Sequence, residues 1–354
     1  MFGSTATLLP NGKVFIAGGG TDTSCAGPSS AAFLYDEHND SYASVGPMNH
    51  ARCGHTAILL PDGTVLVVGG INDNHTEIYK PDSGNGTFVA DVSVPLTTAV
   101  TRRFHTATLV TCSSVVLVAG GIYLSNSNAV QKSTEKLGLI SAGTPTGNFS
   151  SANTVNLGDN RSQHTATFFP GGSTLACQTL IAGGSAGGSG KTADLYTANA
   201  IAVADTIAPV KNGANGSDMV VSRSQHTATL LNNGKVLLVG GIVVPSTTAV
   251  ATAELFDPTQ IGAAQTSFAA TSSLTNPRAL HTSTKLSGGK VLIAGGRAGT
   301  AGSVELYSAT GTAPALAGNM NASRSFHSST PIFSGLFLML GGNGTASADL
   351  FDPE

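Results

Sequence analysis

The heptad RSQHTAT occurs at residues 161–167 and again, letter for letter, at 223–229. Arginine binds anions, histidine moves protons and threonine offers a hydroxyl, so the string reads first as catalytic machinery. Three other groupings invite a chemical reading. His50, Cys53, His55 and His75 lie close together and are donors that suit copper or zinc. Gly183-Gly184-Ser185-Ala186-Gly187-Gly188-Ser189-Gly190-Lys191 resembles a phosphate loop, but it fails the G-x-x-x-x-G-K-[ST] spacing and no helix pattern follows it. Paired carboxylates would suit glycoside chemistry.

Most of these residues prove to be copies. Gly-Gly pairs stand at 18–19, 69–70, 120–121, 183–184, 240–241, 295–296 and 341–342. A histidine precedes the first Gly by fourteen residues at His55, His226, His281 and His327, by fifteen at His105 and by nineteen at His164. Arg52, Arg102, Arg161, Arg223, Arg278 and Arg324 lie three residues before these histidines. An acid recurs further on, at Glu77, Glu135, Asp194, Glu254, Glu305 and Asp349. The first unit has Met1, Ser4 and Phe33 in the three slots, so all three polar groups vanish together. Joint loss marks one hydrogen-bonded cluster, because a half-buried charge without its partner is costly. The expectation is therefore that Arg, His and acid knit each unit internally, the acid accepting from Arg or His, and that no catalytic residue lies among them. An inward ring of histidines around a metal is the competing reading. The radius of such a ring is too large for bonds of about 2 Å to a single ion.

Each unit carries an H-T-A-T-L-L strand, a turn, a K-V-L-L-V-G-G strand, a loop and an acidic-apolar-aromatic strand. Asn11-Gly12, Asp62-Gly63 and Asn233-Gly234 supply the positive φ of tight hairpins. A fainter fourth strand is marked by Tyr42, Phe88, Phe149 and Phe268. No sustained 3.6-residue period appears, so helices are absent or trivial. Four antiparallel strands repeated seven times predict an all-β fold, a seven-bladed β-propeller spanning residues 1–354 as a single domain. The blades run approximately 1–48, 49–98, 99–157, 158–219, 220–274, 275–320 and 321–354. The last shows no fourth strand, so either it closes the ring with three strands or the chain is a piece of something longer.

R-x-x-H, the glycine doublet, E-x-Y/F and a later aromatic resemble the kelch repeat, in the R-x-x-H-T-A-T-L-L form of bacterial extracellular proteins. The resemblance covers nearly the whole chain. It departs from the pattern where Phe or Tyr replaces the usual fourth-strand Trp, and where units four and six lack an aromatic altogether. It implies an extracellular or cell-surface location and a loop-bearing face that meets a partner.

The bulk composition narrows the function. Charged residues are 10% of the chain and the net charge is -3, which removes the footprint of a nucleic-acid partner. The apolar 41% comes in short runs, none long enough to span a bilayer. The four cysteines are either buried thiols or two disulfides. Cys25 and Cys53 fall on one face of adjacent blades, and Cys112 and Cys177 fall between strands one and two of the next pair, so two blade-to-blade disulfides are expected.

Residues outside the repeat slots mark the loop face: Asn72, Asp73, Asn74, His75, Arg103, Tyr123, Asn126, Asn128, Arg297 and Asn343. They are the expected binding residues. The leading functional expectation is a non-catalytic extracellular module that presents this face to a protein or glycan, or a subunit of a self-assembling surface structure, with no cofactor and no metal. The alternative is an oxidase like galactose oxidase, whose catalytic domain is a propeller of this kind, or another carbohydrate-active enzyme. The resemblance to galactose oxidase implies copper chemistry that needs two Tyr, two His and a Cys joined to one of the two Tyr. Tyr35, Tyr79, Tyr196 and Tyr307 are slot residues and Tyr42 is an outer aromatic, which leaves Tyr123.

Overall fold

The computed structural model describes residues 2–71, 75–81, 86–89, 101–123, 129–139, 144–145, 149–170, 177–185, 190–199, 202–210, 219–260, 267–298, 302–308, 313–343 and 347–353. The hairpin chemistry of the sequence sets the strands. In the second unit, Asp62-Gly63 turns Thr56–Leu59 back into Val65–Val68, with Gly63 at φ 84°, and the chain returns through Thr76–Lys80 and Thr87–Val89. The order is a simple antiparallel meander. Four other sheets repeat it, beginning at Thr5–Leu8, Thr165–Phe169, Thr227–Leu230 and Thr282–Lys285. The sheet of Thr106–Val110, Val115–Ala119 and Thr134–Gly138 has three strands, its edge touched by a bridge from Lys136 to Ser150. That of Ser328–Pro331, Phe337–Leu340 and Ala348–Phe351 also has three. An eighth, small sheet joins Arg102–Arg103, Ile122–Tyr123 and Ala129–Val130. The fold is all-β and consistent with a β-propeller. Among the described residues the helical content is one short 3-10 turn at Pro258–Gln260, and no helix is long and apolar enough to cross a membrane.

The second strands, VLVV, VVLVA, VLLV and VLIA, are buried along their whole length, which explains why they read as continuous apolar runs rather than alternating ones. Their two faces feed separate clusters. Val65 and Val67 pack toward Phe15 and Leu34 of the preceding sheet, while Leu66 and Val68 pack toward Val116 and Val118 of the following one. The first strands lie side by side in a closed circle, with Thr5–Leu8 next to both Thr56–Leu59 and Ser328–Pro331.

Fourth strands also form where no aromatic announced them, at Thr206–Val210 and Ala315–Asn319. Backbone pairing to Ala193–Thr197 and Ser303–Tyr307 suffices there. Leu316 is left largely exposed.

Candidate functional site

Each repeat arginine is buried and pairs with the acid of its own unit. Nitrogen-to-oxygen distances are 2.8 Å for Arg52–Glu77, 2.8 Å for Arg102–Glu135 and 2.9 Å for Arg161–Asp194. They are 2.7 Å for Arg223–Glu254, 2.5 Å for Arg278–Glu305 and 2.8 Å for Arg324–Asp349. The guanidinium also donates to backbone: Arg223 Nη1 reaches the carbonyls of Gly240 at 2.7 Å and Thr252 at 2.8 Å. One side chain therefore clamps the end of the second strand to the start of the third, and the acid accepts the Val220 N–H at 2.7 Å as well. These groups are spent on architecture.

The histidines depart from the expected cluster. None of the six takes its hydrogen bond from the acid; each bonds a threonine of the preceding unit through Nε2. The pairs are Thr5–His55, Thr56–His105, Thr106–His164, Thr165–His226, Thr227–His281 and Thr282–His327, at 2.9–3.1 Å. The imidazoles thus join neighbouring units, while Arg and acid join strands within one. Burial, reinforced by the nearby arginine, pulls His55, His164, His226 and His327 down to about 3 and holds His105 and His281 well below the ordinary histidine value. They are neutral walls, poor general bases near pH 7. The first glycine of six of the doublets, Gly18, Gly69, Gly120, Gly183, Gly240 and Gly295, makes room for them. A Cβ on Gly183, at φ 66°, would stand 2.5 Å from the Arg223 carbonyl and 2.8 Å from His226 Cε1. In the first unit Ser4 takes the histidine slot, and Ser328 Oγ, which occupies the matching threonine slot, is buried without a partner.

The residue just before each histidine, or before Ser4 in the first unit, builds the centre of the molecule, though its side-chain type does not announce it in the sequence. Gly3, Gly54, Phe104, Gln163, Gln225, Leu280 and Phe326 all adopt left-handed φ between 54° and 67°. Each N–H donates to the carbonyl of the corresponding residue one unit earlier: Gly54 to Gly3, Phe104 to Gly54, Gln163 to Phe104, Gln225 to Gln163, Leu280 to Gln225, Phe326 to Leu280, and Gly3 back to Phe326. The result is a closed backbone circle at 2.8–3.3 Å. Left-handed non-glycine residues cost of order 1–3 kcal/mol each and tend to mark sites that the surrounding structure holds in place. Here they turn five side chains toward one axis. The Phe104 and Phe326 rings meet with centroids 5.8 Å apart and roof the two glycines. They separate a cavity of about 210 Å³ beside Gly3, Ser4 and Gly54 from one of about 220 Å³ beside Gln163, Gln225 and Leu280. Gln225 Nε2 donates to Gln163 Oε1 at 3.1 Å, and Gln225 Oε1 is buried without a partner.

Of the expected binding residues, Arg103 reaches this axial mouth. Its guanidinium lies 5.0 Å from the centre of the Phe104 ring and donates to the Ser24 carbonyl. Arg297 is exposed on the same face, its backbone bridged to Ala279 beside Leu280. Asn343 bonds Ser325 Oγ at 2.6 Å and the Ser323 carbonyl at 2.9 Å. His75 stacks on His50 with centroids 4.4 Å apart, and its carbonyl accepts from Arg52. Tyr123 is corrected outright: it is buried, its hydroxyl bonded to Arg102 and to Ser133 Oγ, so it belongs to a structural cluster rather than to an open loop. Asn72, Asp73, Asn74, Asn126 and Asn128 lie outside the described residues. Lys136, in a strand position that is Ile78 or Leu195 elsewhere, is fully buried and pairs with Asp205 at 2.8 Å, to which Tyr196 also donates. A charge in an apolar slot was the signal for that network.

Cys25 is joined to Cys53, and Cys112 to Cys177. The first bridge flanks the axial mouth, where Cys53 precedes Gly54; the second sits on the far side, in the turns between first and second strands. Two disulfides are consistent with an oxidising compartment.

The chain matches no protein-family model and no curated protein sequence. Among solved structures it is similar to a fungal alcohol oxidase of the AA5 family in complex with copper, with a TM-score of 0.75 at 15% identity over 99% of this chain and 74% of that one. It is also similar to YjhT, with a TM-score of 0.58 at 13% identity over 89% of this chain and 97% of that one. At these identities the likeness is one of fold. It overturns the expectation of a non-catalytic presentation module, since a solved structure with this architecture is an oxidase. The copper itself does not carry over on the residues described. Among them no three His, Cys, Asp or Glu side chains are grouped to hold a metal. All four cysteines are in disulfides, and Tyr123 is committed to Arg102.

Proposed function

We propose that this chain is an extracellular enzyme acting on small hydroxylated molecules, alcohols or sugars, bound at the axial mouth of a seven-bladed kelch-type propeller formed by residues 1–354. The closed circle of left-handed residues carries the reading, because it holds an aromatic pair and an amide pair over a cavity on the axis. Apolar faces of a sugar or alcohol pack on Phe104 and Phe326, and the amides of Gln163 and Gln225 exchange hydrogen bonds with hydroxyl groups. Gln225 Oε1, without a partner, is placed to accept one. The likeness to an alcohol oxidase supports this substrate class. The donors among the described residues do not suit copper, so no step here runs through it. The small sheet containing Tyr123 is read as an appendage of the third blade, which gives seven blades from eight sheets.

The test supplies primary alcohols and neutral and acidic sugars, with and without added Cu(II). Oxygen uptake and peroxide are recorded, and proton NMR follows the same sugars for any other conversion. Turnover that falls at least tenfold in Phe104→Ala and Gln225→Ala supports the proposal. Absence of conversion, together with absence of saturation transfer from protein to any sugar, overturns it.

A further inference from the structure

The eight arginines divide sharply. Arg52, Arg102, Arg161, Arg223, Arg278 and Arg324 each meet a carboxylate of their own unit. Among the described residues Arg103 and Arg297 meet none, and both stand on the face of the axial mouth. Arg103 is half-buried, lies over the Phe104 ring, uses one Nη1–H on the Ser24 carbonyl and leaves Nε buried without a partner. The nearest acid in that loop, Asp22, spends Oδ1 on the Ser24 amide and hydroxyl and on the Ala26 amide. A guanidinium drawn partly out of water with no counter-charge among the described residues is a standing cost, and for the other buried arginines the same cost is met by an acid. The fork of donors that remains is shaped for a carboxylate or another oxyanion.

We infer that the ligand of the axial mouth is a sugar or polyol that carries an anionic group, a carboxylate first, which Arg103 receives while Phe104 and the two glutamines hold the hydroxylated ring. Arg297, exposed across the same face, adds long-range attraction. A polyanion is disfavoured by the net charge of -3, and the adjoining cavity of about 220 Å³ suits a small ligand. The inference rests on the proposed function above and narrows its substrate class.

The experiment compares D-galacturonate, galactose 6-sulfate and D-galactose by titration calorimetry and saturation-transfer NMR on the full chain. The expected result is at least tenfold tighter binding of galacturonate than of galactose, a preference that shrinks as salt rises and disappears in Arg103→Gln. Arg297→Gln lowers it several-fold, and Arg103→Lys, which keeps the charge but loses the fork, restores part of it. Sulfate binding as tight as carboxylate would leave the anion assigned and its kind corrected to sulfate. Equal affinity for galactose and galacturonate, or a preference unchanged in a folded Arg103→Gln, overturns this inference and leaves the axial site standing. Absence of binding by all three, with no effect of Phe104→Ala, defeats the site itself.

Discussion

Replacing His226 by Gln tests whether the six imidazoles are held neutral between units. The Gln amide can still exchange a hydrogen bond with Thr165, whose hydroxyl lies 3.1 Å from Nε2. It cannot take up a proton. Burial pulls His226 from 6.5 to about 3, so between those values the unfolded chain binds a proton that the folded chain refuses. Stability is then fully present above pH 6.5 and falls as pH drops, by about 1.4 kcal/mol per pH unit per histidine. At pH 5 that amounts to about 2 kcal/mol for each such residue. Counting His55, His164, His226 and His327 together gives about 8 kcal/mol, comparable to the 5–15 kcal/mol that typically holds a domain folded. The parent should therefore unfold cooperatively on mild acidification. Urea unfolding followed by circular dichroism at several pH values between 7.5 and 4.5 measures the slope. His226→Gln should start less stable at pH 7.5 and gain about 2 kcal/mol on the parent by pH 5. Parallel pH profiles for parent and variant would show that the imidazole is not held neutral and would refute the argument.

Three further outcomes are expected. Glu254→Gln leaves Arg223 buried without its counter-charge and should cost about 3–5 kcal/mol in denaturant unfolding; a loss below 1 kcal/mol would mean that the backbone carbonyls alone satisfy the guanidinium. Gly183→Ala forces a left-handed alanine against the Arg223 carbonyl and His226, and should cost about 2–5 kcal/mol, whereas Gly288→Ala, which meets nothing within 4 Å, should unfold with the parent. Removing the Cys25–Cys53 bridge, which closes a separation of 28 residues, should lower stability by about 3–4 kcal/mol, read as a lowered Tm in Cys25→Ser/Cys53→Ser. An unchanged Tm would show that the closed circle of backbone hydrogen bonds already fixes that region.

The strands, their order and the pairing of Arg with acid were legible because each rests on a residue type that recurs at fixed spacing. Arg223 and Glu254 could be matched by slot before any contact was known. The histidines were assigned to the wrong partner for a physical reason: within one repeat the acid is the obvious acceptor, whereas Thr165 and His226 are partners only once two units lie side by side. The threonine after each histidine was the available signal. The axial circle was illegible. Its positions hold Gly, Phe, Gln and Leu, and what they share is a backbone conformation and not a side-chain type. The offset from the histidine was constant, but residue identity gave no reason to look there. Tyr123 misled for the opposite reason, since a residue outside the repeat slots looked available while its hydroxyl was already taken by Arg102.

The join between the last unit and the first is unlike the other six. Ser4 and Ser328 stand where a histidine and a threonine link every other pair, and the Ser328 hydroxyl goes unanswered, although Thr330 still donates to the Ala6 carbonyl. A hoop with one plain clasp among six riveted ones should part at the clasp. Amide hydrogen exchange would then quicken first along Thr5–Leu8 and Ser328–Pro331, and a molecule pulled or warmed to its limit would uncoil from that point around the circle.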